Sequence, residues 1–443
     1  MTHGPGELDL TVSEGIAVAT LHGDAAAEAV PGPRSRPESP PTAVSSGFVV
    51  RDPDTWPLRL LAPLGYWVAS RLVMLTMLFG LGDLSRGEVT DFYQRWNATL
   101  LTGSFPIHDS TWQYPPGAAL ALLLPNLIPF GSYLVDFVLV ILLTDAAVTL
   151  ALLRAGKAKG RSLAGVWAWV LGMPLLYHVP FARYDVIVTA LAVFALLLLR
   201  RFPVLAGMLA GLGVGMKVWP GVAVLGAGPG RAWWRSWLAA AGTLAVLFLS
   251  LYLTFRHAFG FLTAEQGRGI QFESVGGTIL LVAKKFGYSG YLKNQFGDVE
   301  FVGPYVSTIS HVAVGLSVLA VAWLLLWRFR ARVWTAATAA DAALAAVLLS
   351  VSTSRVLSPQ YLIWIIGITA VCLCYRETTQ RPVAGLLVVA VGLTSVEYPF
   401  YYVQALNYST GILIVLAIRN LLILTATVWS CARLWRGSRP KLS

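Results

Sequence analysis

The stretch "GEVTDFYQRWNATLLTGSFPIHDSTWQYPPG", residues 87–117, contains the side chains of this sequence that are best suited to chemistry. Thr90 precedes Asp91 and predicts the N-cap of a helix that runs to about Leu101. In the first turn of that helix the dipole favours an ionised carboxylate. Such a carboxylate beside a cavity can accept the proton of a hydroxyl group, so Asp91 is a candidate general base. The alternative is that Asp91 only forms an ion pair with Arg95, four residues later.

The end of this stretch, "WQYPPG" at residues 112–117, offers groups that bind sugars. Trp112 and Tyr114 carry rings that can line a sugar, and Gln113 between them is a candidate binding residue. The Pro-Pro pair predicts a stiff turn. The alternative is that the rings only anchor the loop at the membrane–water interface, where Trp and Tyr are enriched.

A stripe of apolar residues runs along the predicted helix of this loop. Phe92, Trp96 and Leu100 recur every four residues, with Tyr93 beside them. A stripe of this kind is typical of a helix that lies flat in the membrane interface. We therefore expect interfacial helices in the loops that carry the chemistry.

Candidate metal ligands are few. His108 and Asp109 are adjacent, but no further ligand follows at a suitable spacing. The three cysteines, Cys372, Cys374 and Cys431, lie in apolar runs and are too few for a disulfide framework or a zinc site. We predict no metal site and no cofactor, and we interpret the cysteines as small residues that face the core or lipid.

Charged groups further along the chain are candidate substrate ligands. Arg183 and Asp185 in "RYDVIVTAL" stand at the start of an apolar run, where charges are costly unless they are paired or functional. Lys217 in "GMKVWPG" is a candidate ligand of a lipid phosphate. Arg355 and Gln360 in "TSRVLSPQYLIW" form a polar cluster, and an arginine fork can hold phosphate oxygens. The alternatives are a packing ion pair for the first two residues and snorkelling to lipid headgroups for Arg355.

Two other features of the apolar runs favour packing over chemistry. Gly207, Gly211 and Gly215 repeat every four residues, which is the small-residue pattern of close helix packing rather than a nucleotide loop. Asp145 is expected to pair with a neighbouring span. Glu397 lies near the end of another run and is a further candidate for lining a cavity.

Composition explains what must position these residues. The chain has 443 residues, of which 56% are hydrophobic and 12% are charged. Soluble proteins carry about 25% charged residues, whereas repeated apolar runs of about 20 residues indicate transmembrane helices. We predict an all-α, multi-pass bundle of transmembrane helices. The net charge of +11 fits basic loops on the cytoplasmic side rather than a nucleic-acid partner.

The chain divides into a tail, one membrane domain and a short end. Residues 1–55 include "PGPRSRPESPPTAVSSG", whose Pro, Ser and mixed charge predict a disordered cytoplasmic tail. No basic region followed by an apolar core indicates a cleaved signal peptide. Residues 56–436 form the membrane domain, and 437–443 a second cytoplasmic tail.

Apolar runs and basic loops predict about 12 spans with both termini in the cytoplasm. The spans fall near residues 58–82, 133–153, 163–181, 184–199, 203–216, 218–228, 237–256, 305–327, 335–352, 357–375, 383–402 and 410–432. The segment 117–131 is short and contains two prolines, and a crossing there would put the basic "RAGKAKGR" outside. We interpret it as re-entrant or interfacial. Two long outer loops result, at about 83–132 and 257–304.

The motifs, in their order along the chain, resemble those of the GT-C glycosyltransferases. More closely, they look like the bacterial polyprenol-phosphate-mannose-dependent α-mannosyltransferases of the family 87 kind. The matching segments are "TDFYQRW", "GSFP", "WQYPPG", "RYDVIVTAL", "GLGVGMKVWPG" and "RVLSPQYLIW". The resemblance covers roughly residues 58 to 433 and is carried by the order of the motifs, because each motif alone is unspecific.

The resemblance implies a GT-C fold and an integral-membrane hexosyltransferase of the plasma membrane. It implies a polyprenyl-phosphate sugar donor, a glycolipid or glycan acceptor, and catalysis outside the cytoplasm in a cavity open to membrane lipid. It also implies that a first-loop aspartate, here Asp91, is the general base. The reaction inverts the anomeric configuration of the donor and yields an α-glycoside. Many relatives have two neighbouring acids in this loop, whereas Asp91 has only Glu88 and the more distant Asp109.

Two other classes of function remain open from the sequence. A transporter or flippase of a lipid-linked sugar would also be a multi-pass protein with intramembrane charges. It would often show two similar halves, and we see no internal repeat. A catalytically silent member that only supports envelope assembly is the third possibility. The clustering of candidate residues on the predicted outer side favours the enzyme.

Overall fold

The computed structural model describes residues 56–81, 83–128, 130–260, 262 and 269–440, and the predicted N-terminal tail lies outside them. Helices dominate this part of the chain, which confirms the all-α prediction. The helices are α1 (Trp56–Leu81), α2 (Asp83–Gly87), α3 (Gln94–Leu101), α4 (Ala118–Leu123), α5 (Tyr133–Lys157), α6 (Ala164–Gly172), α7 (Asp185–Leu198), α8 (Pro203–Met216), α9 (Val222–Leu225), α10 (Arg231–Thr254), α11 (Val275–Lys284), α12 (Val306–Arg330), α13 (Thr338–Thr353), α14 (Tyr361–Cys374), α15 (Arg381–Ser395), α16 (Tyr402–Leu406) and α17 (Thr410–Gly437).

Six helices within the described ranges are long and apolar enough to cross a membrane. They are Leu60–Leu81, Tyr133–Lys157, Arg231–Thr254, Val306–Arg330, Arg381–Phe400 and Thr410–Gly437. The other predicted spans correspond to shorter apolar helices, such as α13 with 16 residues and α14 with 14. At about 1.5 Å per residue these helices fall short of a bilayer core of about 30 Å. The chain is therefore a multi-pass membrane protein in which long helices surround shorter, buried ones.

Two apolar segments are too short to cross a membrane as helices. The predicted span at 218–228 is wrong, since that region holds only a 3₁₀ turn and the four-residue helix α9. The proline in the turn and the glycines on both sides break the helical pattern. The segment 118–127, in contrast, forms a helix of ten residues that is too short to cross, in agreement with the re-entrant or interfacial interpretation.

The glycine repeat of α8 brings that helix against α10. A Cβ atom on Gly207 would lie 2.1 Å from the carbonyl oxygen of Ser236, and one on Gly211 would lie 2.4 Å from that of Ala240. Both distances are far below van der Waals contact, so only glycine allows this approach. The predicted packing role of the repeat is confirmed.

Asp145 is buried at the centre of another helix contact. It accepts hydrogen bonds from Arg71 Nε at 2.8 Å, Trp67 Nε1 at 2.6 Å and Trp169 Nε1 at 2.7 Å. The carboxylate thereby joins α1, α5 and α6. Because these three donors come from neighbouring helices, the predicted pairing across spans is confirmed.

Basic residues gather where α14 ends. Arg161 lies over the ring of Tyr375 at 3.5 Å, and Arg376 Nε donates to the Arg161 carbonyl at 2.9 Å. Arg433 Nε donates to the carbonyl of Thr379 in the same region. Positive charges that are far apart in sequence therefore share one end of the helix bundle.

The second long loop contains a small sheet that sequence reasoning missed. Its strands are β1 (Ile270–Gln271), β2 (Tyr291–Gln295) and β3 (Asp298–Val302), with β3 in the centre and both pairings antiparallel. Phe296 and Gly297 form the two-residue turn between β2 and β3, with φ of 56° and 70°. Positive φ at both residues suits a tight hairpin that keeps the twist of its strands. The hairpin tip reaches the first loop, where Gln113 Nε2 donates to the Phe296 carbonyl at 2.9 Å.

Candidate active site

A cavity of about 760 Å³ lies between the first loop, the hairpin and the start of α14. Polar side chains from all three regions line it: Glu88, Asp91, Gln113, Arg183, Lys217, Gln271, Glu273, Asn294, Asp298, Ser358 and Gln360. Tyr114 and several other rings complete the wall. Six of the eight site residues expected from the sequence therefore border one space. Asp185 and Arg355 are not among the lining residues.

Asp91 sits in a π-helical turn rather than at a helix start. The turn, Glu88–Tyr93, continues from α2 into α3 without a break. Thr90 Oγ1 donates to the Arg86 carbonyl within this helix at 3.2 Å, so the predicted N-cap role of Thr90 is wrong. Such turns shift the register of the side chains and occur often at functional sites.

The carboxylate of Asp91 has little to hold it. It is exposed to the cavity, and Thr90 Oγ1 donates to Oδ1 at 2.9 Å. Arg95 pairs instead with Asp109 Oδ2 at 2.7 Å, so the alternative ion pair between Asp91 and Arg95 is wrong. Among the described residues Asp91 has no ion-pair partner, which leaves its carboxylate available for a ligand.

Asp109 is the opposite kind of acid in the same loop. Trp96 Nε1 donates to it at 2.9 Å, and Thr111 donates through both its backbone nitrogen and its hydroxyl group. Burial raises the pKa of Asp109, but these hydrogen bonds and Arg95 outweigh that effect and hold the pKa below its usual value. Asp109 therefore fixes the loop and has no free oxygen for a metal.

The aromatic stripe of the first loop faces protein rather than lipid. Tyr93, Trp96 and Leu100 are no more than 2% exposed, and Trp112 is 3% exposed. Trp96 packs edge-on against Trp112 at 5.3 Å and against Tyr114 at 5.7 Å between ring centroids. The interpretation of this stripe as a membrane-facing surface is wrong, since its rings pack against protein, and Phe92 and Trp96 border the cavity. Only Tyr114 of "WQYPPG" brings a large ring to the cavity itself.

Of Arg183 and Lys217, the two cations among the described residues that line the cavity, Arg183 has unused donors. Its Nη1 lies 2.7 Å from Glu88 Oε2, an ion pair that lacks the alignment of a hydrogen bond. The Nε atom has no hydrogen-bond partner among the described residues, although the residue is only 9% exposed. Buried donors are nearly always satisfied in native proteins. An anionic ligand in the cavity would satisfy this one.

Lys217 is held much more completely. Its Nζ lies 2.6 Å from Asp185 Oδ1, and Trp364 Nε1 donates to the same oxygen at 2.7 Å. Four rings lie within 4.9–5.8 Å of the ammonium group: those of Tyr114, Tyr184, Tyr361 and Trp364. Burial lowers the pKa of Lys217, and the Asp185 carboxylate opposes that shift. Asp185 thus affects the cavity through its ion pair with Lys217. Together with Trp364, this pair joins α7, α8 and α14.

The remaining residues expected from the sequence differ in placement. Gln360 lines the cavity, and its Oε1 has no hydrogen-bond partner among the described residues. Gln113 uses its amide to hold the hairpin tip. Arg355 is half-buried outside the lining, where its backbone carbonyl accepts from Gln271 N at 3.0 Å. Its expected role as a substrate ligand stays a prediction.

Residues of the second loop were missed by sequence reasoning. Gln271 Nε2 donates to Glu273 Oε2 at 2.8 Å and to Asp298 Oδ1 at 2.9 Å, while the Gln271 Oε1 accepts from Leu357 N at 2.6 Å. All three side chains border the cavity. Burial, and then the neighbouring Glu397, raise the pKa of Glu273 well above its usual range.

Glu397 and Arg419 lie behind Glu273 and are fully buried. Arg419 Nη2 donates to the Glu273 carbonyl at 2.7 Å, whereas its Nε and Nη1 have no hydrogen-bond partner among the described residues. Glu397 is not among the residues that line the cavity, contrary to the expectation from the sequence. An arginine inside the apolar run of α17 was the available signal for this cluster, since intramembrane charges usually have a function.

The described residues do not form an evident metal-binding site. Within the described ranges no group of three or more His, Cys, Asp or Glu side chains could hold a metal ion. Cys372 and Cys374 are buried free thiols, as expected for core residues. Independence from metals and cofactors stays a prediction.

Comparison with known proteins identifies the family. The sequence model of glycosyltransferase family 87 matches residues 112–359, more than half of the chain. That segment contains Arg183, Lys217 and Glu273 but begins after Asp91. No curated protein and no solved structure matches significantly. The match favours an enzyme over a transporter. The chain belongs to glycosyltransferase family 87 and is a multi-pass membrane glycosyltransferase.

Proposed function

We propose that this enzyme transfers mannose from a polyprenyl-phosphate donor to a hydroxyl group of a lipid-linked or cell-envelope glycan. Asp91 is the general base. Its carboxylate takes the proton of the acceptor hydroxyl, whose oxygen attacks the anomeric carbon of the donor. The bond between that carbon and the phosphate oxygen breaks, and polyprenyl phosphate leaves with the electron pair. Attack from the opposite face converts a β-linked donor to an α-glycoside.

One observation carries this proposal: the same cavity borders a carboxylate without an ion pair and an arginine with an unused donor. Asp91 has the first property and Arg183 the second. A general base must be free to accept a proton. A departing phosphate needs a cation, and a guanidinium group matches phosphate oxygens in shape and charge. Lys217, which is paired with Asp185, also lines the cavity and adds a second cation to its wall.

The length of α14 supports catalysis outside the cytoplasm. Tyr361, its first residue, lines the cavity, and the basic residues lie around its other end. Its 14 residues separate the two ends by about 21 Å at about 1.5 Å per residue. Basic residues mark the cytoplasmic side of membrane proteins. We infer that the cavity opens on the extracytoplasmic face of the plasma membrane, where polyprenyl-phosphate sugars and membrane lipid can enter it.

The test uses purified protein in lipid nanodiscs with polyprenyl-phosphate mannose and a mannose-bearing glycolipid. Wild-type protein should form the α-linked product. Asp91→Asn should lower kcat by about 10²–10⁴-fold, the usual contribution of a general base, because the amide cannot take the proton. Full activity of this variant would exclude the mechanism, and activity with GDP-mannose alone would exclude the donor.

Asp109→Asn is the matched control. It changes another acid of the same loop that does not line this cavity. It should keep kcat within about twofold of the wild type, since its carboxylate only holds the loop through hydrogen bonds. Equal losses of kcat in the two variants would show that damage to the loop, rather than loss of the base, explains the result.

A further inference from the structure

We propose that Gln271, Glu273, Asn294 and Asp298, which we call the hairpin wall, bind the hydroxyl groups of a neutral acceptor sugar. This inference rests on the proposed function, because it names the acceptor subsite of the same cavity. All four side chains line the cavity; Gln271, Asn294 and Asp298 lie in the strands of the sheet, and Glu273 lies in the turn that follows β1.

Glu273 supplies the main argument. The residue is 2% exposed, borders the cavity, and has one oxygen, Oε1, without a donor among the described residues. Its other oxygen accepts from Gln271 at 2.8 Å. Leaving a buried acceptor unsatisfied is unfavourable, so the site favours a ligand that brings a donor. A sugar hydroxyl is such a donor.

The neighbouring acid can bond to this carboxyl group in one protonation state only. Glu397 is also an acid, and two carboxylates can bond to each other only when one of them is protonated. A carboxyl group that holds a proton can both donate to and accept from a hydroxyl group, as sugar hydroxyls themselves do. Glu273 therefore matches a polyol in either protonation state.

The charges of the cavity separate donor from acceptor. The cations that line it, within the described part of the chain, are Arg183 and Lys217. The hairpin wall carries two acids and two amides instead. A phosphate is attracted to Arg183 and repelled by an acidic wall. The donor phosphate is thus directed toward Arg183, and an acidic acceptor is disfavoured at the hairpin wall.

Aromatic rings beside the wall suit the apolar face of a sugar. Tyr398 and Tyr402 line the cavity and pack edge-on at 5.3 Å between centroids. Phe296 at the hairpin tip lines it as well. Rings of this kind bury the C–H face of a ligand while carboxyl and amide groups fix its orientation.

The experiment measures KM for acceptor and donor separately in nanodiscs. Glu273→Gln should raise acceptor KM on the order of tenfold, since the amide has one acceptor oxygen in place of two and Gln271 already donates to one of them, and should leave donor KM within about twofold. The matched control is Glu300→Gln, a buried acid of the same sheet that does not line the cavity. Its carboxylate bonds to Gly269 N and Gln295 Nε2, both at 2.9 Å. The control should change neither KM.

Each outcome decides the proposal. An unchanged acceptor KM in Glu273→Gln, or an equal rise in both KM values, would overturn it. Should Glu273→Gln fail to fold, Asn294→Ala carries the same test, because Asn294 is exposed at the cavity and its loss removes a hydroxyl partner without burying a charge. It should raise acceptor KM about threefold. Absence of transfer by the wild type would instead refute the proposed function.

A second assay tests the neutral character of the acceptor. Octyl mannoside and its C6-oxidised uronate differ only at C6, where a hydroxymethyl group is replaced by a carboxylate. The wild type should use the neutral compound at least tenfold more efficiently, and Asp298→Asn should narrow that ratio because one repelling charge is removed. Equal use of both compounds by the wild type would contradict the subsite.

Discussion

Two charged clusters stand at the same cavity and are built in opposite ways. In the lysine cluster, Lys217 and Asp185 form a 2.6 Å ion pair to which Trp364 donates a further hydrogen bond. In the glutamate cluster, Glu273 and Arg419 both keep polar atoms without hydrogen-bond partners among the described residues. The two clusters are comparably buried. The two clusters therefore differ in their number of hydrogen-bond partners and not in their burial.

The difference separates structure from function. A buried pair with all its hydrogen bonds is complete without ligand and can hold helices together. A buried group with unused atoms raises the free energy of the empty protein, and natural proteins accept this at sites that bind something. We expect changes in the lysine cluster to act mainly on stability and changes around Glu273 to act mainly on substrate affinity.

The largest expected effect is on stability, from Lys217→Met. The variant leaves Asp185 charged and buried without its cation, which should lower the free energy of unfolding by about 3–5 kcal/mol. Thermal unfolding in detergent measures the loss. The double variant Asp185→Asn with Lys217→Met should recover most of it, since no buried charge remains. If Lys217→Met were as stable as the wild type, the distinction between a structural lysine cluster and a ligand-binding glutamate cluster would be wrong.

A smaller effect is expected from pH on the glutamate cluster. Burial and Glu397 raise the pKa of Glu273, while Arg419 opposes the shift. The folded chain therefore holds this proton more tightly than the unfolded chain. The resulting stability is complete below the usual pKa of about 4.3 and is lost as the pH rises through the raised value. We expect the melting temperature to fall as the pH rises above about 4.3.

Replacing Glu397 by Gln sharpens this prediction. One of the causes that raise the pKa of Glu273 disappears while burial and Asp298 remain, so the decline of stability with pH should become smaller. Melting curves of the two proteins across this pH range give the answer. Glu300→Gln serves as the control for an amide in place of a buried acid, and an unchanged decline in Glu397→Gln would contradict a coupled pair.

The helical plan of the molecule was accessible from the sequence, because apolar runs and small-residue repeats act locally. The repeat at Gly207 and Gly211 predicted the contact between α8 and α10, and Asp145 was expected to find partners on other spans. The hairpin was not foreseen. Its turn places Phe296, a residue without special preference for positive φ, where Gly or Asn is usual. Only its docking to Gln113 and β3 determines that conformation.

The candidate site was predicted where one segment carried several polar groups, as around Asp91 and Arg183. It was missed where the groups come together only in three dimensions. Glu273, Glu397 and Arg419 are more than 20 residues apart in sequence, and none has a motif around it. The aromatic stripe was misinterpreted for a related reason. An apolar helix face has the same residue spacing whether it contacts lipid or protein, and Trp96 contacts protein.

The smallest expected effect compares two acids of the first loop on the same principle. Asp109 is held by Trp96, Thr111 and Arg95, but it is partly exposed, so Asp109→Asn should lower the free energy of unfolding by only about 1 kcal/mol. The loss should shrink as the pH falls below about 3.9 and vanish below the lowered pKa of Asp109, because the carboxyl group of the folded wild type is then protonated. Asp91→Asn should leave the melting temperature unchanged, since Asp91 has no ion pair among the described residues. Differential scanning fluorimetry on both variants measures this contrast. A stability loss in Asp91→Asn equal to that in Asp109→Asn would mean that Asp91 is a structural acid, because a carboxylate reserved for a ligand contributes nothing to the empty fold.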